Sequence, residues 1–180
     1  VINTNNSVKV TSSNDEQSYD YVIYSNHPNE ILNIGKNLSN QQTEVLKDIK
    51  YSKNEVVLHK DSSVMPKNLK CWASWVYKKT EEDKPILSYW MNSLQDIDKK
   101  YPIFVSLNPE NYIDNNKIFN KHFLEHPIFD MSARKAQKQM PSIQGVNNSF
   151  FCGAYNKYGF HEDGVVSSIE VVEKLKKIDI

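Results

Sequence analysis

The chain has 180 residues, with 22 Lys+Arg against 22 Asp+Glu and a pI near 7.1, a balance that excludes the basic footprint of a nucleic-acid binder. Hydrophobic residues make up 39% and aromatic residues 11%, enough for one folded domain, or one domain plus a piece of another, and too much for a disordered chain. No apolar run approaches the about 18 residues of a membrane span; Cys71 and Cys152 form no CxxC, so a reduced, cytoplasmic setting is expected rather than a disulfide framework or a zinc knuckle.

The first residue is Val1, and no charged segment followed by an apolar one reads as a signal peptide. Residues 1–10 already read as strand-like, so either processing has removed an N-terminus or the chain is a piece of a longer protein, the second being favoured by composition and by the resemblance given below. Runs 8–10 and 19–24, separated by the polar residues 12–15, read as a hairpin, with 20–24 a buried strand. Ile31, Leu32, Ile34 and Leu38 give residues 26–40 a helical pattern with Pro28 near its start. Residues 41–49 read as a second short helix.

From Tyr51 the texture changes. Runs 55–59, 70–77, 85–91 and 101–107 are strand candidates joined by polar segments, including 81–84, and predict an antiparallel sheet. Its aromatic residues imply one face packed hard or lining a pocket. Residues 132–140 suggest a short helix and 148–152 a strand. From Gly164 onward the pattern is helical, with Val165, Ile169, Val172, Leu175 and Ile178 on one stripe and lysines at the end that suits the dipole. Among the polar residues, His59 with Asp61 and His161 with Glu162 and Asp163 are acid–base candidates. His122 and His126 are spaced to share a helix face. Asn54, Asn92, Gln95 and Asn108 are suited to satisfy buried backbone. Cys152 reads as an inert buried thiol.

Residues 150–168 run from a strand through a loop with Gly153 and Gly159 to a helix start at Gly164, which Asp163 can cap. Such a start presents free N–H groups to a phosphate or to the anionic edge of a reduced flavin. An ordinary strand–loop–helix connection fits the same spacing.

This stretch resembles the C-terminal FAD motif of the flavin-containing amine oxidase superfamily. The chain as a whole is similar to the bacterial predicted NAD/FAD-binding branch of that superfamily, through an ordered series: Tyr51 with Asn54, Leu58-His59 with Asp61, Met65-Pro66, Trp72 with Trp75, Tyr89-Trp90 with Gln95, Val105 with Pro109, His126-Pro127, Cys152 to Tyr155 and Gly159 to Gly164. The resemblance implies an α+β chain: an antiparallel-sheet substrate domain with helices, plus the closing strand and helix of a Rossmann-like FAD-binding domain. Residues 1–38 would be a returning segment of the FAD domain, 39–147 the substrate domain, and 148–180 the closing strand, loop and helix.

The cofactor implied is FAD, contacted by Cys152, Gly153, Ala154, Gly159, Phe160, His161, Glu162, Asp163, Gly164 and Val165, with His161 as the catalytic candidate. Trp72, Trp75, Tyr89 and Trp90 are the substrate-cavity candidates, although strand neighbours face opposite ways and cannot all line one cavity. The activity implied is hydride removal from a small apolar substrate, with a fatty-acyl lipid suggested by association. No nucleic acid, metal or transmembrane segment is expected, and peripheral membrane contact is left open. With five glycines and no G-x-G-x-x-G, the chain lacks the turn that holds the ADP half, so by itself it is expected to be inactive. The rival reading is a non-catalytic ligand- or partner-binding module with a vestigial flavin motif.

Overall fold

The computed structural model describes residues 1–3, 7–79 and 85–178; residues 4–6 of the first strand-like run and the connector 81–84 lie outside the described residues. The chain is α+β and divides into two compact units, Val1–Ser52 with Pro127–Ile180, and Lys53–His126. Residues 39–52 and 127–147, assigned in sequence to the substrate domain, pack in the first unit.

In the first unit β1 (Ile2–Asn3), β2 (Val8–Thr11) and β3 (Glu16–Tyr19) form an antiparallel meander. The Ser12 amide donates to the Asp15 carbonyl at 2.8 Å and closes the turn between β2 and β3. The hairpin partner is therefore 16–19, not 19–24. The chain leaves the meander at Asp20, and β4 (Val22–Tyr24) pairs in parallel with β10 (Ser149–Phe151). One face of this pair packs through Tyr24 and Phe151, stacked at 5.4 Å, against Ile31 of α1 (Pro28–Ile34), Val45 and Leu46 of α2 (Asn40–Lys47) and Ala136, Met140 and Ile143 of α4 (Met131–Ile143). The other face buries Phe150 and Cys152 under Val171 of α5 (His161–Lys176).

The second unit is built on a five-stranded sheet, order β6 (Trp75–Lys79), β7 (Pro85–Trp90), β8 (Phe104–Leu107), β5 (Tyr51–His59), β9 (Ile118–Pro127). Its core gathers Val57, Phe104, Val64, Met65 and Ile113, with Trp72, Val76 and Trp90 packed against it.

Several elements differ from their sequence expectation for local reasons. The helix expected over 26–40 stops at Ile34, because Asn37 takes a positive φ of 62° and Ser39 begins α2 with a reciprocal pair of bonds to Gln42. The strand expected over 70–77 starts at Trp75. Asn68 accepts the Lys70 amide, and the Trp72 indole donates to the Pro66 carbonyl at 2.9 Å, folding Trp72 onto the core. Residues 101–103 are not strand because Asn92, buried in α3 (Met91–Leu94), bonds the Ile103 amide and the carbonyls of Asp98 and Tyr101. Strand β9 had no expectation: almost all its residues are exposed, so no period-2 pattern marks it. His122 and His126 therefore lie on a strand, not a helix face.

Candidate functional site

The loop after β10 is shaped by its own chemistry. Gly153 has φ 155° and ψ 164°, and a Cβ there would lie 2.5 Å from Cε1 of Tyr155, so glycine is required. The Gly153 amide donates to Ser167 Oγ at 2.9 Å, and that hydroxyl donates to the Gly164 carbonyl at 2.8 Å. Gln137 of α4 clamps the loop from the other side, its Nε2 donating to the carbonyls of Tyr155 (2.9 Å) and Lys157 (2.6 Å). Arg134, the single arginine beside 21 lysines, donates to Gln137 Oε1 at 3.3 Å, and its guanidinium lies 4.9 Å from the Tyr158 ring centroid and 6.0 Å from that of Phe129. A flat guanidinium can bond and stack at once, which an ammonium cannot. Tyr155 is buried beneath the loop, and its burial pushes the hydroxyl well above the usual tyrosine range.

Because Gln137 holds two loop carbonyls, Gln137→Ala is expected to destabilise the protein by about 2 kcal/mol, and to raise hydrogen exchange first in residues 154–159. Equal exchange there in both proteins, measured by mass spectrometry, would remove Gln137 from this role.

The helix begins at His161, earlier than the expected Gly164, with Phe160 as the N-cap residue. Asp163 is thus the third helical residue rather than the cap, and its Oδ2 accepts the amides of Phe160 (3.0 Å) and Tyr158 (3.1 Å). With Glu162 beside it, the first turn carries two carboxylates. That charge opposes a diphosphate at this helix start and tolerates a neutral ring edge.

Beside this helix is an open cleft of about 850 Å³. It lies at the carboxyl ends of both parallel strands, where Ser25 follows β4 and Cys152 follows β10, the position at which open α/β sheets bind ligands. Of the expected cofactor residues, Cys152, Gly153, Ala154, His161, Gly164 and Val165 line it together. Gly159, Phe160, Glu162 and Asp163 do not; Gly159, at φ 90°, turns the loop against Phe129 instead. His161 is exposed at the first helical position. Most of the stripe expected on α5 faces away from the core: Val165 is 52% and Ile169 53% exposed, and Val172 and Ile178 are exposed too; of its five residues Leu175 packs against the Phe150 cluster, and the buried positions of the helix are Ser167 and Val171.

The second unit separates the four aromatic candidates. Trp72 and Trp90 meet edge to face at 5.1 Å on the core side. Trp75 and Tyr89 are direct cross-strand partners on the opposite face. There they begin a row that continues through Val105 to Leu58, beside a second row of Tyr77, Leu87, Leu107 and Val56. Neither row carries a charge, and Trp75 is 59% exposed. Of these eight residues only Trp75 and Tyr89 were substrate-cavity candidates in the sequence, because the aliphatic ones look like core until the register places them.

His59 is no candidate base. It is fully buried, its Nδ1 accepts the Asp61 amide at 3.1 Å, and its Nε2 therefore carries the proton toward Ser106 Oγ at 2.8 Å. Ser106 in turn meets Ser88 at 2.6 Å, which closes the network inside the core. Burial raises the Asp61 pKa, but the amides of Asp114 and Ser63 and the Lys117 ammonium at 3.1 Å outweigh it and hold the carboxyl well below the usual range. Asn108 accepts the Glu55 amide at 2.9 Å and bonds Asn54 at 2.8 Å, again satisfying backbone.

No protein-family model and no curated protein matches the sequence. The fold matches solved structures. A CLA-producing fatty acid isomerase from P. acnes aligns with 96% of this chain and 45% of its own, at TM-score 0.63 and 13% identity. A reduced UDP-galactopyranose mutase aligns with 94% of this chain and 44% of its own, at 0.64 and 13%. Cyclohexylamine oxidase from Brevibacterium oxydans IH-35A aligns with 97% and 47%, at 0.56 and 9%. The chain thus shares the fold of less than half the length of these enzymes.

Proposed function

We propose that this chain is the C-terminal portion of an FAD-dependent oxidoreductase that oxidises or desaturates an apolar substrate, with an acyl lipid as the substrate class, in the cytoplasm of a bacterium. The observation that carries the reading is the open cleft at the ends of a parallel strand pair, bounded by a glycine turn and a helix start. Its size suits a ring system, and the small residues Gly153, Ala154, Gly164 and Ser168 leave its wall open. The fold neighbours are enzymes by name, one of them in a reduced state.

FAD bound here would supply a hydride acceptor. The residues at hand would hold and orient it: the backbone of 152–154 and the first turn of α5 against the ring, with the diphosphate held elsewhere because Glu162 and Asp163 repel it. His161, exposed on the cleft, is the group available to hold or move a proton. The uncharged rows beginning at Trp75 and Tyr77 would receive an apolar substrate.

The isolated chain is expected to show no flavin binding at micromolar concentration, whereas the protein expressed with the residues encoded before Val1 purifies yellow. Fluorescence titration of both with FAD checks this. Tight binding by the 180-residue chain alone, or none by the longer protein, defeats the proposal.

A further inference from the structure

Strand β9 is the outermost strand of the five-stranded sheet, and among the described residues no strand pairs with its outer side. Sheet edges are ordinarily blunted by short strands, prolines, bulges or a covering element, because a row of open N–H and C=O groups recruits another strand. β9 is ten residues long, and its one proline, Pro127, is the last of them. Every residue from Phe119 to His126 is exposed, with Phe119 at 56%, Phe123 at 63% and Leu124 at 51%.

Side-chain contacts show which residues share a face. The Lys53 ammonium lies 4.5 Å from the Phe123 ring centroid, and the Lys121 ammonium lies 3.4 Å from the Glu55 carboxylate, so Lys121 and Phe123 stand on the side of Lys53 and Glu55. His126 bonds Asn54 at 3.0 Å on the opposite side. Alternation then puts Glu125 on the face of Phe123. That face reads Lys121, Phe123, Glu125, a cation and an anion placed evenly on either side of an aromatic ring.

Such a strand is complementary to itself. A two-fold axis perpendicular to the sheet sets an edge strand antiparallel to its copy with the faces matched, and it must pass opposite a residue rather than between two. Centred at Phe123, it sets Phe123 against Phe123 and Lys121 against the other copy's Glu125, twice over, and on the reverse face Leu124 against the other copy's His122. Centred at Lys121 or Glu125, it would oppose like charges. Centred at His122 or Leu124, it would leave Lys121 and Glu125 without each other.

We propose that β9 is a homodimer interface, in which the β9 edges of two copies pair antiparallel about Phe123 and join their sheets. The occupant is a second copy rather than another segment, because opposite charges set symmetrically about one residue match a two-fold contact, whereas an unrelated strand has no need of that symmetry. The contact requires no flavin and none of the cleft residues. A single strand pairing is at the small end of specific interfaces, so the expected dissociation constant is about 10 μM.

Sedimentation velocity tests this on the 180-residue chain and on the protein expressed with the residues encoded before Val1. Both should pass from monomer to dimer across about 1–100 μM. Lys121→Glu and Glu125→Lys should each weaken the dimer by about tenfold or more, since each sets two like-charge pairs across the axis. An equimolar mixture of the two variants should recover the dimer, because one chain then carries both carboxylates and the other both ammonium groups; that recovery also shows that both variants fold. A chain that stays monomeric, single variants that dimerise like the unaltered chain, or a mixture that remains monomeric overturns the proposal. So does a longer protein that is monomeric where the 180-residue chain dimerises, a result that gives the β9 edge to a segment preceding Val1.

Discussion

Gly153→Ala is expected to lower the stability of the protein by about 3 kcal/mol, more than a glycine substitution at an ordinary turn. Two causes act together. The backbone at φ 155° and ψ 164° lies in a region essentially reserved for glycine. The added methyl would also sit 2.5 Å and 2.8 Å from two carbons of the Tyr155 ring. That ring cannot withdraw, since it is buried in the cluster that includes Tyr24, Phe151 and Ala136. Urea denaturation measures the loss. Because part of it is a contact between two side chains, Gly153→Ala combined with Tyr155→Ala should cost less than the sum of the single variants. Additive costs would place the whole effect in the backbone; a loss below about 1 kcal/mol would contradict the loop geometry itself.

Acid should weaken the second unit through His59. Burial pushes this imidazole from the ordinary 6.5 down to about 4, with the Asp61 charge opposing the shift. The unfolded chain takes up a proton near pH 6.5 that the folded chain refuses until about pH 4. Stability is therefore complete above pH 6.5 and falls as the pH drops through this window, by about 3 kcal/mol in total. Asp61 acts in a separate window: its folded pKa lies below the ordinary 3.8, so its contribution is present above that pH and is lost only on further acidification. Denaturant unfolding at intervals from pH 7.5 to 4 checks the first window. His59→Leu should be less stable at neutral pH, because Ser106 and the Asp61 amide lose their partner, but its pH slope between 6.5 and 4 should be flatter. An unchanged slope would assign the acid loss to other groups.

Much of the α+β architecture is legible in the sequence where one local signal suffices. Pro28 begins α1, the run 55–59 is strand, and the greater part of the runs 85–91 and 101–107, residues 85–90 and 104–107, pairs in an antiparallel sheet. Where elements end was not legible, because the stops come from side chains bonding distant backbone. Asn92 holds residues 98–103 out of β8, and the Trp72 indole turns back to Pro66.

Six of the ten residues expected around the cofactor share one cleft, a grouping that follows from their adjacency along residues 152–165. The role of Asp163 did not follow, because the helix starts three residues early and makes it the acceptor of two loop amides. Nor did Gln137 and Arg134, which act on the loop from another helix, although the only arginine in a lysine-rich chain was a visible signal.

By itself the sequence determined the class of the fold, the glycine turn between strand and helix, and an apolar stripe along α5, since these depend on neighbours within a few residues. Only the tertiary structure decided what each apolar surface does. Periodicity groups Val165, Ile169 and Val172 on one side of a helix, but it does not say whether that side meets a core, and here it meets none. Alternation separates Tyr89 from Trp90, and the cross-strand register then placed Trp75 with Tyr89 on the open face; Trp72 precedes β6, and packing with its indole bond to Pro66 placed it with Trp90 in the core. Burial is a property of contacts between segments far apart in the chain, and no local pattern carries it.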